Sequence, residues 1–248
     1  MHDLLICGRL LLPDSELPGG WLAVDDGRIV GIGASARPAA RRVHDAGDAF
    51  VLPGIVDGQT HATSYAGLAG FEATSRSAVA GGVTTLVDMP YDNPDPLSTM
   101  ERLERKVAAV EALSCCDVAL YGTVVPGQGT GEMAALARAG VAAFKISSLE
   151  NHPTRFPRLP ADEAMAILQA SVPLGLPVGL HNEDQEMVRA GIASLKARGL
   201  VAPEWHEPSR PVAAEMVATA AFLALGAATG AHVHIVHCLL YTSPSPRD

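Results

Sequence analysis

Leu52–Thr63 reads LPGIVDGQTHAT. An apolar run stops abruptly at Asp57-Gly58-Gln59-Thr60-His61. A strand apolar on both faces belongs in a parallel sheet covered by helices, and polar side chains at its C-terminal end mark the reactive edge of such sheets. Residues two apart on a strand point to the same side, so Gln59 and His61 face one point together.

From Leu52 onward the chain alternates strand and helix patterns. Strand candidates are Leu52–His61, Thr84–Pro90, Val118–Val125, Val141–Ser147, Val178–Glu183 and His232–His237. Ser98-Thr99-Met100-Glu101 is a capping-box signature, and Met100, Leu103, Val107 and Val110 then recur at helical spacing. Asp162 is placed to cap a helix running through Ala170, and Ser209 with Pro211 opens an Ala-rich helix towards Ala228. This alternation implies parallel strands and an α/β fold, a TIM-type (β/α)8 barrel. A complete barrel has eight strands and about 250 residues. Residues 52–237 supply six strands, so the expectation is a barrel truncated after about strand six. Residues 1–51 read as a small β-domain, the N-terminal part of a composite β-sandwich. LLICGRLLL is one strand-like run, Asp26-Gly27 suits a type I′ hairpin turn within WLAVDDGRIVGIG, and a polar stretch follows from Arg37 to Asp48.

The 248 residues are 48% hydrophobic and 18% charged, an ordinary soluble, globular composition. A net charge of −9 argues against nucleic acid and anionic membrane surfaces as partners. No apolar run is read as reaching the ~18 residues of a membrane span, and Met1-His2-Asp3 lacks the features of a signal peptide. Cys7, Cys115, Cys116 and Cys238 show neither metal-site nor disulfide spacing, which suits a reducing cytoplasm. The last residues, CLLYTSPSPRD from Cys238 to Asp248, stop a strongly periodic segment. They resemble the translation of a transposase-type sequencing adapter, so 238–248 is read as a non-native tail; a genuine Ser/Pro-rich tail is the alternative. The adapter reading extends into the third base of codon 237, leaving the native residue there His or Gln.

Ligand-type side chains recur at strand ends: Gln59 and His61 on the first, Lys145 in VAAFKIS on the fourth, His181 in GLHNED on the fifth, His237 closing HVHIVH on the sixth. His232 and His234 read as structural or surface residues. Taken singly, a strand histidine is most simply a hydrogen-bonded core residue, and Lys145 most simply a buried ammonium with a carboxylate partner. Their shared location and order set them apart.

DGRIVGIG (Asp26–Gly33), LPGIVDGxTH, AGGVTTLVDMP (Ala80–Pro90) and the Phe144-Lys145 pair together resemble the cyclic amidohydrolases of the allantoinase, dihydroorotase and hydantoinase group, over Asp3 to His237. The resemblance implies one or two divalent metals per subunit, zinc by preference. Lys145, carbamylated by CO2, would bridge them; His181 and His237 would hold one, and His61 the other, with Gln59 where the family has a second histidine. Neutral imidazole is a good zinc ligand, whereas an amide oxygen is weaker and suits harder ions. Three outcomes stay open: Gln59 ligates through oxygen, one metal alone remains, or no metal binds. The implied chemistry is attack of metal-activated hydroxide on a ring amide carbonyl, with an Asp of strand eight, beyond residue 237, as general base; neither Asp92 nor Asp184 is assigned that role.

Asp88-Met89-Pro90, Arg155-Phe156-Pro157 and Ser209-Arg210-Pro211 are allantoinase-like. The chain lacks the Arg of the dihydroorotase HxHxR motif and has Tyr91 where those enzymes tend to carry Asn. The implied substrate is therefore a small cyclic ureide, allantoin or hydantoin-like, in purine catabolism, and the full-length enzyme a cytoplasmic homo-oligomer. Alternatives are a dihydroorotase or dihydropyrimidinase, or a non-catalytic scaffold like the dihydropyrimidinase-related signalling proteins. Residues 1–237 alone are expected to be inactive and, with an exposed sheet edge, poorly soluble.

Overall fold

Residues 1–237 are described by a computed structural model, and the tail discussed above, with Cys238, lies outside the described residues. The chain divides into two compact units, Met1–Gly54 and Ile55 onward.

The first unit is one four-stranded sheet: β1 (His2–Leu11), β2 (Glu16–Asp25), β3 (Arg28–Gly33) and β4 (Ala40–Val51), in the order β3-β2-β1-β4. Asp26 and Gly27 join β2 to β3 with φ of 48° and 72°, the left-handed pair that a type I′ turn needs. Leu5, Cys7 and Ala23 form its core, with Trp21 and Ala40 packed against them. The polar stretch Arg37–Asp48, given no element from sequence, mostly belongs to β4, which pairs parallel with β1. Its side chains are mostly exposed at the sheet edge, so no apolar alternation announces the strand.

The second unit carries β5 (Ile55–Thr60), β6 (Val83–Asp88), β7 (Asp117–Gly122), β8 (Ala143–Ser147), β9 (Val178–His181) and β10 (Val233–Ile235). All neighbours pair parallel, and spatial order follows chain order. The intervening helices are α1 (Gly70–Ala80), α2 (Met100–Leu113), α3 (Met133–Arg138), α4 (Ala161–Ser171), α5 (Gln185–Ala197) and α6 (Val212–Thr229). In a flat sheet the first and sixth strands would lie roughly 24 Å apart, five spacings of ~4.8 Å. Yet the side chain of Gln59 on β5 reaches within 3.3 Å of His237, just past β10. The sheet is therefore curled, the wall of an incomplete β/α barrel.

Local details differ from the sequence reading. Thr99, not Ser98, caps α2, its side chain accepting from the Arg102 amide. Asp162 sits inside the first turn of α4, where Pro160 is the capping residue, and so serves the helix dipole rather than the cap. α6 is long and apolar enough to cross a membrane by length and composition, which corrects the reading that no such run exists. It packs on α4, α5 and β10, and Ala214, Ala218, Phe222 and Gly226 form its buried stripe.

A buried ion network pins the loop that follows β5. The fully buried Lys106 ammonium of α2 lies 2.7 Å from Asp88 and 2.7 Å from Asp92, and donates to the Met89 carbonyl at 3.1 Å. The other Asp88 oxygen accepts from the Ala62 amide at 2.7 Å and from the Thr60 hydroxyl at 3.3 Å, while Thr63 donates to Asp92. Burial pushes the Asp92 carboxyl up against the opposing pull of Lys106. Gly70 opens α1 so close to this loop that a Cβ would stand 1.9 Å from the Ala62 carbonyl oxygen. Replacing Lys106 by Met strands two buried carboxylates, so urea unfolding of Lys106→Met should show a loss of about 3–5 kcal/mol. A loss below about 1 kcal/mol, the worth of an exposed pair, would contradict this account.

Candidate metal centre at the carboxyl edge of the barrel sheet

The curl brings side chains from both ends of the sheet to one place. β5 presents Gln59 and, immediately after it, His61; β8 presents Lys145, β9 ends on His181, and His237 follows β10. His237 Nε2 is 3.3 Å from the Gln59 amide nitrogen and 3.5 Å from Lys145 Nζ. Both neighbours are N–H donors, so the His237 lone pair points into the gap between them. The His181 and His237 rings meet edge to face with centroids 5.1 Å apart.

Every residue of β8 is buried, and Lys145 is 0% exposed. Its amine lies 5.3 Å from the Tyr91 ring centroid and 5.8 Å from that of Phe156. Among the described residues it enters no ion pair, so the simple reading of a carboxylate-paired lysine is corrected. Desolvation lowers its pKa from 10.5 to about 8. Burial, followed by the nearby Lys145 charge, lowers His237 to about 4. Near neutral pH its imidazole is therefore neutral, the form that can ligate a metal.

His181 and His61 are engaged elsewhere. His181 Nε2 donates to Glu183 at 2.9 Å, and Glu183 accepts in turn from Arg210 at 2.8 Å. Burial would raise the Glu183 carboxyl, but the His181 hydrogen bond and the Arg210 charge hold it below its usual value. In the neutral ring this bond places the proton on Nε2 and makes Nδ1 the acceptor nitrogen. His61, exposed at the rim, lies 3.2 Å from the Ser64 hydroxyl. Consequently, among the described residues, no three His, Cys, Asp or Glu side chains approach closely enough to hold an ion. The convergent donors are Gln59, Lys145 and His237, with His181 beside them. This donor set fits a divalent metal in kind: imidazole nitrogens, an amide that can turn its oxygen inward, and an uncompensated amine.

Sequence reading missed the aromatic wall. His61, Tyr91, Phe156 and His181 run in series, with Tyr91 and Phe156 stacked at 3.6 Å between centroids. The Tyr91 hydroxyl is buried with no hydrogen-bond partner among the described residues. Glu183 and Arg210 were likewise not assigned roles, although HNED is a polar cluster closing the apolar run of the fifth strand.

No family model matches the chain. It is 33% identical over 242 residues to the allantoinase of Solibacter usitatus, covering 96% of this chain and 52% of that protein. It is 31% identical to the L-hydantoinase of Paenarthrobacter aurescens, with the same coverage of 96% and 52%. Among solved structures, the L-hydantoinase (dihydropyrimidinase) from Arthrobacter aurescens superposes with a TM-score of 0.86 at 30% identity, covering 94% of this chain and 52% of that one. The chain belongs to the allantoinase and hydantoinase group of cyclic amidohydrolases. It spans about half the length of the curated relatives it matches. Enzymes of this group are generally metal-dependent and share the TIM-barrel architecture that the curled parallel sheet displays in part.

The lowered pKa of Lys145 has a definite sign. A folded-state value of about 8 against 10.5 means that, between these pH values, the unfolded chain binds more protons, so stability rises with pH. In CO2-free, metal-free buffer, the stability of the wild type relative to Lys145→Met should therefore climb by on the order of 3 kcal/mol from pH 7 to pH 11. A flat difference across that range would show that the amine is not desolvated.

Proposed function

We propose that the full-length protein hydrolyses a cyclic amide or ureide ring, with allantoin or a hydantoin-like ring as the substrate class. The observation that carries this reading is the Lys145 amine, fully buried without a carboxylate partner among the described residues and 3.5 Å from His237. A lowered pKa leaves an appreciable share of it as free amine near neutral pH. Free amine adds to CO2, forming a C–N bond and releasing one proton; the product carbamate exchanges a buried cation for an anion. That anion, with His181 and His237, would hold one divalent ion, and with His61 and Gln59 a second. When bound, such ions supply a nucleophile from water near neutral pH and polarise a ring carbonyl.

The chain's own residues prepare this chemistry. Glu183 and Arg210 orient the His181 ring. Tyr91 and Phe156 cover the Lys145 amine and exclude water from it. The Lys106 network holds the backbone on either side of His61. The general base is assigned to an Asp on strand eight, beyond residue 237, and Met1–Val51 to the first part of a composite β-sandwich. A second reading, a non-catalytic scaffold, is favoured by Gln59 in place of histidine and by the lack of a preformed three-ligand cluster among the described residues.

Metal analysis of the full-length protein separates the two. Purified with zinc and bicarbonate, the wild type should hold one ion tightly and a second weakly, and Gln59→His should raise the weaker occupancy. Lys145→Met should lose both ions together with ring opening of allantoin or hydantoin, and a chelator should abolish the wild-type activity reversibly. Less than one ion per subunit with no ring opening would leave the scaffold reading standing.

A further inference from the structure

Beside the candidate metal centre lies a cavity of about 340 Å³ whose lining includes His61, Tyr91, Asn151, His152, Arg155 and Phe156. That volume suits a small cyclic molecule with a short substituent. One end of the cavity is a proposed metal ligand and the aromatic wall. The other is the loop after β8, which projects His152 and Arg155. No carboxylate lines it among the described residues, although it is bordered by a guanidinium and two imidazoles.

Arg155 is half-buried and enters no ion pair among the described residues. It donates one N–H to the backbone carbonyl of Ser64, a neutral acceptor that leaves its charge uncompensated. Elsewhere in this unit, Arg158 and Arg189 pair with Glu186 and Glu150 at 2.8 and 3.0 Å. The loop is also tied together by hydrogen bonds. Asn151 and Phe156 close it, the Asn151 amide donating to the Phe156 carbonyl at 3.1 Å and the Phe156 amide to the His152 carbonyl at 3.0 Å. His152 Nδ1 accepts from the backbone amides of Thr154 at 3.3 Å and Arg155 at 3.2 Å. Accepting two N–H bonds at Nδ1 fixes the proton of neutral His152 on Nε2, so the residue offers a donor and no ring acceptor.

We propose that this cavity reads a carboxylate on the cyclic amide substrate, with Arg155 as its charged partner and His152 as a second donor. The inference rests on the ring-hydrolysis reading for the rest of the substrate and narrows it to an acidic class. A planar guanidinium with one N–H anchored keeps others for a carboxylate, and such charge-assisted pairs are about twice as strong as neutral ones. The clamp would sit on the strand-four loop, whereas the position two residues after His61 is Thr63, buried and donating to Asp92.

The test uses the full-length protein and two probes of similar size, hydantoin-5-acetate and uncharged 5-propylhydantoin. Binding is measured by calorimetry and ring opening by kcat/KM, for wild type, Arg155→Gln and Arg155→Lys. Gln keeps a donor for the Ser64 carbonyl without the charge, Lys keeps the charge without the fork, and thermal melts confirm that each variant folds. The wild type should prefer the acid by about 10-fold or more in both measurements. The preference should fall to near one in Arg155→Gln and be partly retained in Arg155→Lys. Equal binding of the two probes by the wild type, or an undiminished preference in Arg155→Gln, overturns the proposal. If neither probe is hydrolysed while the Arg155-dependent binding preference persists, the hydrolytic reading fails and the carboxylate site stands.

Discussion

Everything at the site depends on the curl of one parallel sheet. β5 and β10 are the first and last strands of a six-stranded order that follows the chain, yet Gln59 and His237 touch at 3.3 Å. Strand twist and helices packed along the outside bend such a sheet towards closure. Without the bend, the donors would be strung along an edge. With it, Lys145 on β8 lies at the focus, and His181 and His237 approach it from the following strands.

Two lysines are fully buried in this unit, and their surroundings treat them in opposite ways. Lys106 has two carboxylates at 2.7 Å and a carbonyl at 3.1 Å, a complete shell for an ammonium. It is a structural cation, and what it holds together is the loop flanking His61. Lys145 has two aromatic rings and a neutral imidazole instead. Aromatic faces attract a cation but do not replace water fully, so its amine gives up its proton at about pH 8. One lysine stabilises as a charge; the other is set up to lose it.

Much of this was legible in the residues. All six barrel strands were found within a few positions, because parallel strands of this kind are near-continuous apolar runs that end in polar residues. The site residues were legible as types at strand ends, since position on a parallel strand dictates which end meets the ligand. β4 escaped notice because an exposed edge strand has no apolar face to show. The aromatic wall escaped for a different reason. Tyr91 and Phe156 are distant in sequence, stack only because the loops after β6 and β8 fold over the same mouth, and carry no spacing signal.

By itself the sequence determined the parallel strand order, the identity of the ligand-type side chains, and the departure at Gln59, because these depend on local pattern and chemical type. Only the tertiary structure decided that, among the described residues, Lys145 has no carboxylate partner and Arg155 faces a cavity without acids, and that His181 is tied to Glu183 and Arg210. Partners in a barrel come from strands and loops far apart in the chain. Their distances follow from how the sheet closes, and only closure sets which charges are compensated and which are left for a ligand.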